Sequence, residues 1–135
     1  MKINAMMHIA VYAKDMQVSA DFYCRVLGGE IVFDRKDESG ASDMMYIRMA
    51  PGQYIEMFRA APDAERVSSP VGFTHLCLTV PDIEEAAAAV RAADWPIRVE
   101  PKAGRYGNYQ LWIRDPDGMD IELMQILPNF LNGNA

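Results

Sequence analysis

Histidine, cysteine and runs of basic residues are all scarce in this chain. Its 135 residues include 2 His, 2 Cys and 2 Trp, and 13 Lys and Arg stand against 19 Asp and Glu for a net charge of −6. That acid excess, with no Lys/Arg run to offset it, argues against a nucleic-acid surface. No apolar stretch approaches the roughly 20 residues of a membrane-spanning helix. The N-terminus, Met1 to His8, is too short and too soon patterned to read as a signal peptide. Cys24 falls in a helical pattern and Cys77 in a strand pattern, so the two cysteines read as buried thiols, which fits a reducing cytoplasm.

What is present is apolar material and a repeat. Half of the residues are hydrophobic and 10 are methionine, enough to fill the core of one ordinary domain or of two small modules sharing one. His8 opens the run His-Ile-Ala-Val-Tyr-Ala-Lys-Asp, and His75 opens His-Leu-Cys-Leu-Thr-Val-Pro-Asp. In both, an aspartate (Asp15, Asp82) follows seven positions later. Glu56 lies in Gly52-x-x-Ile55-Glu56-Met57 and Glu122 in Gly118-x-x-Ile121-Glu122-Leu123, at 48 and 47 residues after their histidines.

Periodicity gives the same order of elements twice. Strands are expected over Met6–Tyr12, Glu30–Arg35, Asp43–Met49 and Gln53–Arg59. A helix capped by Asp15 carries Met16, Ala20, Tyr23 and Leu27 on its apolar stripe and stops at Gly28-Gly29. A polar linker over 61–70 then joins residues 1–60 to 71–127. The second module is expected to have strands over Phe73–Val80, Ile97–Glu100, Tyr109–Arg114 and Met119–Gln125, and a helix from Asp82 to about Ala93. The tail from Pro128 to Ala135 reads as loose. The expected fold class is therefore α+β, two βαβββ modules in one domain.

Side chains alternate across a strand. Ile9 and Val11 oppose His8; Leu76 and Leu78 oppose His75 and Cys77; Ile55 and Met57 oppose Glu56; Ile121 and Leu123 oppose Glu122. If the aliphatic face covers the helices, both histidines and both glutamates share the other face. A lone strand histidine is usually structural, but here the only two fall at equivalent positions, each with a glutamate in the same context. Two imidazoles and two carboxylates suit a divalent metal such as nickel, zinc, cobalt or iron, and poorly suit calcium. By parity Tyr54 and Phe58 share the face of Glu56, Met124 that of Glu122, and Trp112 and Gln110 face the same way; Arg48 either reaches this face or forms an edge salt bridge.

These residues carry a family resemblance over nearly the whole chain, to about Leu127. His8, the helix segment Asp21-Phe22-Tyr23-Cys24-Arg25-Val26-Leu27-Gly28 and the closing Asp115-Pro116-Asp117-Gly118-x-x-Ile121-Glu122-Leu123 resemble the vicinal oxygen chelate superfamily. Its members include glyoxalase I, extradiol dioxygenases, methylmalonyl-CoA epimerase, and fosfomycin and bleomycin resistance proteins. The resemblance implies an open, cupped mixed sheet with helices on its outer face. The full set His8, Glu56, His75, Glu122 is most similar to glyoxalase I, which implies these four as metal ligands, with nickel or zinc foremost and cobalt, manganese or iron as further choices. It also implies isomerisation of a substrate with vicinal oxygens, such as a glutathione adduct, with Glu122 as the proton-shuttling base and Glu56 as its counterpart. Sequence symmetry does not separate the two. The other readings are a metal-dependent dioxygenase, epimerase or thiol transferase, or a drug- or metabolite-binding protein without catalysis.

The resemblance has a gap. Ala10, Val11, Tyr12 and Ala13 stand where small bacterial glyoxalase I chains carry an arginine for the glutathione carboxylate. Lys102 and Arg105, in the loop from Pro101 to Asn108, are the remaining cations for an anionic group. The resemblance further implies either a homodimer with shared sites or a closed monomer.

Overall fold

A computed structural model of the chain describes residues 1–66, 71–105 and 107–128. Part of the expected linker (67–70), the residue at 106 in the loop before Asn108, and the expected loose tail from 129 onward lie outside the described residues. The chain forms two compact units, Met1–Arg66 and Val67–Ala135. The first contains strand β1 (His8–Ala13), helix α1 (Met16–Asp21), a π-helical turn (Phe22–Val26), and strands β2 (Glu30–Lys36), β3 (Ser42–Ala50) and β4 (Gln53–Arg59). The second contains β5 (Leu76–Thr79), α2 (Ile83–Ala92), β6 (Val99–Ala103), β7 (Tyr109–Arg114) and β8 (Asp120–Gln125).

Each unit is a four-stranded mixed sheet with a helix, so the α+β class and the repeated βαβββ order hold. The strand orders are β1-β4-β3-β2 and β5-β8-β7-β6. In both, the first strand pairs in parallel with the last, and the other pairings are antiparallel.

The paired aspartates explain the spacing of the repeat. Asp15 Oδ1 accepts from the amides of Gln17 and Val18 at 2.9 and 3.0 Å. Asp82 Oδ1 does the same for Glu84 and Glu85, both at 2.9 Å. Each caps the helix that follows the histidine-bearing strand and satisfies amides the helix leaves unpaired. Beneath each helix lies an aliphatic sheet face. Met45, Ile47, Ile55 and Met57 are buried in the first unit with Met16, Ala20, Phe22 and Tyr23; Leu111, Ile113, Ile121 and Leu123 are buried in the second with Ile83, Ala87 and Val90.

Five local expectations need correction. The first helix does not run evenly to Leu27: its last turn is π-helical, with the Leu27 amide donating to the Phe22 carbonyl, and this widening turns both Phe22 and Tyr23 into the core. Gly29 follows because a Cβ there would lie 2.8 Å from both Ile47 Cγ2 and the Tyr23 carbonyl. Strand β6 lies later than Ile97–Glu100 and passes through Pro101 to Ala103. Pro101 is tolerated because β6 is the sheet edge and the register shifts between Val99 and Lys102. Strand β5 starts at Leu76, leaving His75 just before it; the preceding turn closes with Met119, so the β8 ladder begins only at Asp120. Finally, the thiols are not both buried: Cys24 is half-buried and Cys77 exposed, because Cys77 lies on the sheet face away from the helix.

Replacing either cap, Asp15→Ala or Asp82→Ala, should lower unfolding stability by about 1 kcal/mol, and Asn at the same position should restore most of it. Urea denaturation of each variant checks this; an unmoved midpoint for both alanine variants would refute the capping role.

Candidate metal centre

In the first unit, Glu56 sits on β4 between Ala10 of β1 and Tyr46 of β3. Its neighbours Ile55 and Met57 are 2% and 0% exposed, so strand alternation sends Glu56 to the opposite face. His8 Nε2 lies 3.1 Å from Glu56 Oε2. The Tyr46 hydroxyl donates to the other oxygen, Oε1, at 2.6 Å. That bond, with desolvation and the Glu56 charge behind it, holds the phenol above its ordinary pKa. The His8 ring stands edge-on to Tyr46, with ring centres 5.8 Å apart.

In the second unit, Glu122 sits on β8 between Cys77 of β5 and Trp112 of β7. Ile121 and Leu123 point to the core, as their counterparts do. His75 Nε2 lies 3.4 Å from Glu122 Oε2. Thr74 Oγ1 lies 3.0 Å from the other ring nitrogen, Nδ1. With the proton on Nδ1, the ring donates to Thr74 and leaves the Nε2 lone pair facing Glu122. Trp112 stacks edge-on to His75, with ring centres 4.8 Å apart.

Each unit thus brings one imidazole nitrogen and one carboxylate oxygen together. Two donors at right angles around an ion with bonds of about 2.1 Å stand about 3.0 Å apart, and tetrahedral ones about 3.4 Å. The observed 3.1 and 3.4 Å fall in that window. The donor chemistry, neutral nitrogen with anionic oxygen, fits zinc, nickel, cobalt, manganese or iron(II). Among the described residues no three His, Cys, Asp or Glu side chains cluster as a metal group, and each pair offers two donors. Both imidazole side chains are 34% exposed, while Glu56 is 16% and Glu122 only 7% exposed.

The other candidates occupy varied places. Tyr54 pairs with His8 in the register and its ring meets Tyr46 at 6.1 Å. Phe58 packs on Tyr12, with centres 6.0 Å apart. Met124 accepts from the Asn108 amide at 3.7 Å and lies opposite Gln110. Arg48 is on the Tyr46 side of β3 but engages Glu30, the edge salt bridge. Lys102 and Arg105 are exposed. Two site neighbours escaped sequence reasoning. Tyr46 shares the strand parity of Arg48, two positions on, and that parity was the available signal. Cys77 lies on the expected face but is exposed, opposite Glu122 in the strand register.

The superfamily described as Glyoxalase/Bleomycin resistance protein/Dioxygenase matches residues 5–123, and the chain belongs to it. The protein YaeR of Escherichia coli (strain K12) is 34% identical over 127 residues, covering 87% of this chain and 93% of the relative. A lactoylglutathione lyase of Pseudomonas putida is 28% identical over 148 residues, covering 90% and 84%. The solved structure of a glyoxalase family protein from Enterococcus faecalis superposes with a TM-score of 0.71 at 27% identity, covering 90% of this chain and 97% of that one. Further relatives include epimerases, so lyases and epimerases both occur among its kin. No helix among the described residues is long and apolar enough to cross a membrane.

Cys77 offers a direct probe of this surface. The residue is exposed, yet protein atoms crowd its sulfur, and this desolvation, followed by the Glu122 charge and the hydrogen bond to it, pushes the thiol up to about 12. In metal-free protein at pH 8, iodoacetamide should therefore modify Cys77 more than about tenfold slower than a free thiol with a pKa of about 8.5. Glu122→Gln should speed the reaction. Peptide mass spectrometry can follow it, and alkylation at the free-thiol rate would contradict the Glu122 contact.

Proposed function

We propose that this member of the superfamily is a glyoxalase I-like metalloenzyme, which isomerises a small substrate with adjacent oxygens by proton transfer. The observation that carries this reading is the duplicated His–Glu pair: 8 with 56, and 75 with 122, at matching places in the repeat and at metal-compatible distances. The similarity to lactoylglutathione lyase supports a glutathione hemithioacetal as the first substrate to assay. Epimerisation next to a carbonyl uses the same proton chemistry and is the neighbouring alternative.

In this reading one divalent ion draws on both pairs, His8 and Glu56 with His75 and Glu122. A homodimer with sites shared between subunits is the assembly we favour, in the cytoplasm. When bound, the ion supplies Lewis-acid polarisation of the substrate's vicinal oxygens. The histidines hold it as neutral donors. Glu122 takes the proton from one carbon and returns it to its neighbour, with Glu56 as the counterpart carboxylate. Low exposure of Glu122 keeps water from competing for that proton. Tyr54 and Phe58 in the first unit and Trp112 and Met124 in the second offer apolar faces to a substrate, while Arg105 is an exposed cation for an anionic substituent and Arg48 would serve one only on leaving Glu30.

Elemental analysis of untagged, unchelated protein, combined with native mass, tests this. One nickel, zinc or cobalt per chain in a dimer is expected. Failure to take up any divalent ion on titration would eliminate the reading. Glu122→Gln should lower isomerase turnover by roughly a hundredfold or more, and unchanged turnover would remove Glu122 as the base.

A further inference from the structure

The repeat is symmetric in its donors but not in their neighbours. On the β1 and β5 side, Glu56 faces Ala10 and Glu122 faces Cys77; on the β3 and β7 side, Glu56 faces Tyr46 and Glu122 faces Trp112. Tyrosine supplies a hydroxyl at hydrogen-bond distance from Glu56. At the equivalent position the second unit presents an indole that packs on His75 instead. On its other side Glu122 faces the Cys77 thiol, which is at best a weak donor. The two carboxylates are therefore held with different firmness: Glu56 by a 2.6 Å phenol bond on Oε1 and His8 at 3.1 Å from Oε2, Glu122 by His75 at 3.4 Å.

We propose that Tyr46 is a positioning residue that fixes Glu56, and with it the Glu56–His8 donor pair, in the orientation that receives the metal ion. This rests on the metalloenzyme reading above. A short O–H···O⁻ bond is charge-assisted and directional, so it restricts rotation of the carboxylate and occupies a lone pair of Oε1. The oxygen left toward His8 is Oε2, and that oxygen and His8 Nε2 are the matched donor pair. Partners of this kind behind a ligating carboxylate tune metal affinity without touching the ion. The Tyr46 ring contributes separately, through edge contacts to His8 and Tyr54 that phenylalanine would keep.

The test compares full-length wild type with Tyr46→Phe, using zinc and cobalt(II) alone as probes. Affinity is read by competition with a chromophoric chelator, the cobalt absorption spectrum records the ligand field, and thermal melting of the metal-free proteins records the fold. The expected result is a loss of metal affinity of about tenfold or more and a changed cobalt spectrum, at an unchanged metal-free melting midpoint. Affinity within twofold of wild type would overturn the inference while leaving the metalloenzyme reading standing. A loss of affinity matched by a loss of metal-free stability would assign Tyr46 a merely structural role and overturn it as well. Wild type that takes up neither ion would remove the metalloenzyme reading, and the inference with it.

Discussion

Strand register is the constraint on which the rest depends. Ile55 and Met57 are sealed against the helix side of one sheet, Ile121 and Leu123 against that of the other. Because successive side chains alternate, a slip of one residue would bring Glu56 or Glu122 into that core and turn the aliphatic pair outward. Exposing each such side chain costs roughly 1.5–3 kcal/mol, and a buried unpaired carboxylate costs more. The core thus fixes which way each glutamate points before any ligand is involved. Parallel pairing of β1 with β4, and of β5 with β8, then brings the histidine of the first strand beside the glutamate of the last. Donors carried on or directly beside paired strands, not at loop tips, need little rearrangement to accept an ion.

The same constraint explains what could be read from the sequence. Aliphatic residues recur at every second position of β1, β4, β7 and β8 (Ile9 and Val11, Ile55 and Met57, Leu111 and Ile113, Ile121 and Leu123), so the faces of His8, Glu56, Trp112 and Glu122 follow from counting by two. Asp15 and Asp82 identified helix starts because capping is a local interaction within three residues. Illegible features all depend on partners distant in sequence. Pro101 signals a strand break unless the chain lies at a sheet edge, and edge position is a property of the whole sheet. The π-helical turn arises from the need to bury Phe22 and Tyr23 together. The Tyr46–Glu56 bond joins residues ten apart, across the β3–β4 pairing, and only the register shows that they meet.

Duplication has preserved the scaffold more tightly than the chemistry around it. Caps, strand order, parallel closure and donor pairs recur in both units, whereas Ala10 and Tyr46 are replaced by Cys77 and Trp112. A structural repeat needs only matching apolar faces and turns, so positions flanking the glutamates are free to differ without loss of fold. Those flanks are where an enzyme acting on an asymmetric proton path would diverge. A base must exchange its proton, and a stationary ligand must not; two identically held carboxylates would serve neither task well.

The division between scaffold and flank also bears on substrate. Donor pairs on a shared sheet face are compatible with lyases and epimerases alike, and both occur among the relatives. The pairs alone do not choose between these reactions; that choice falls to the side chains around them. Glu56 has Tyr54 and Phe58 two positions away on its strand, and Glu122 has Met124 on its own strand and Trp112 opposite it, while Lys102 and Arg105 lie on the exposed β6 edge and its following loop. No arginine follows His8 on β1, where Ala10, Val11, Tyr12 and Ala13 stand.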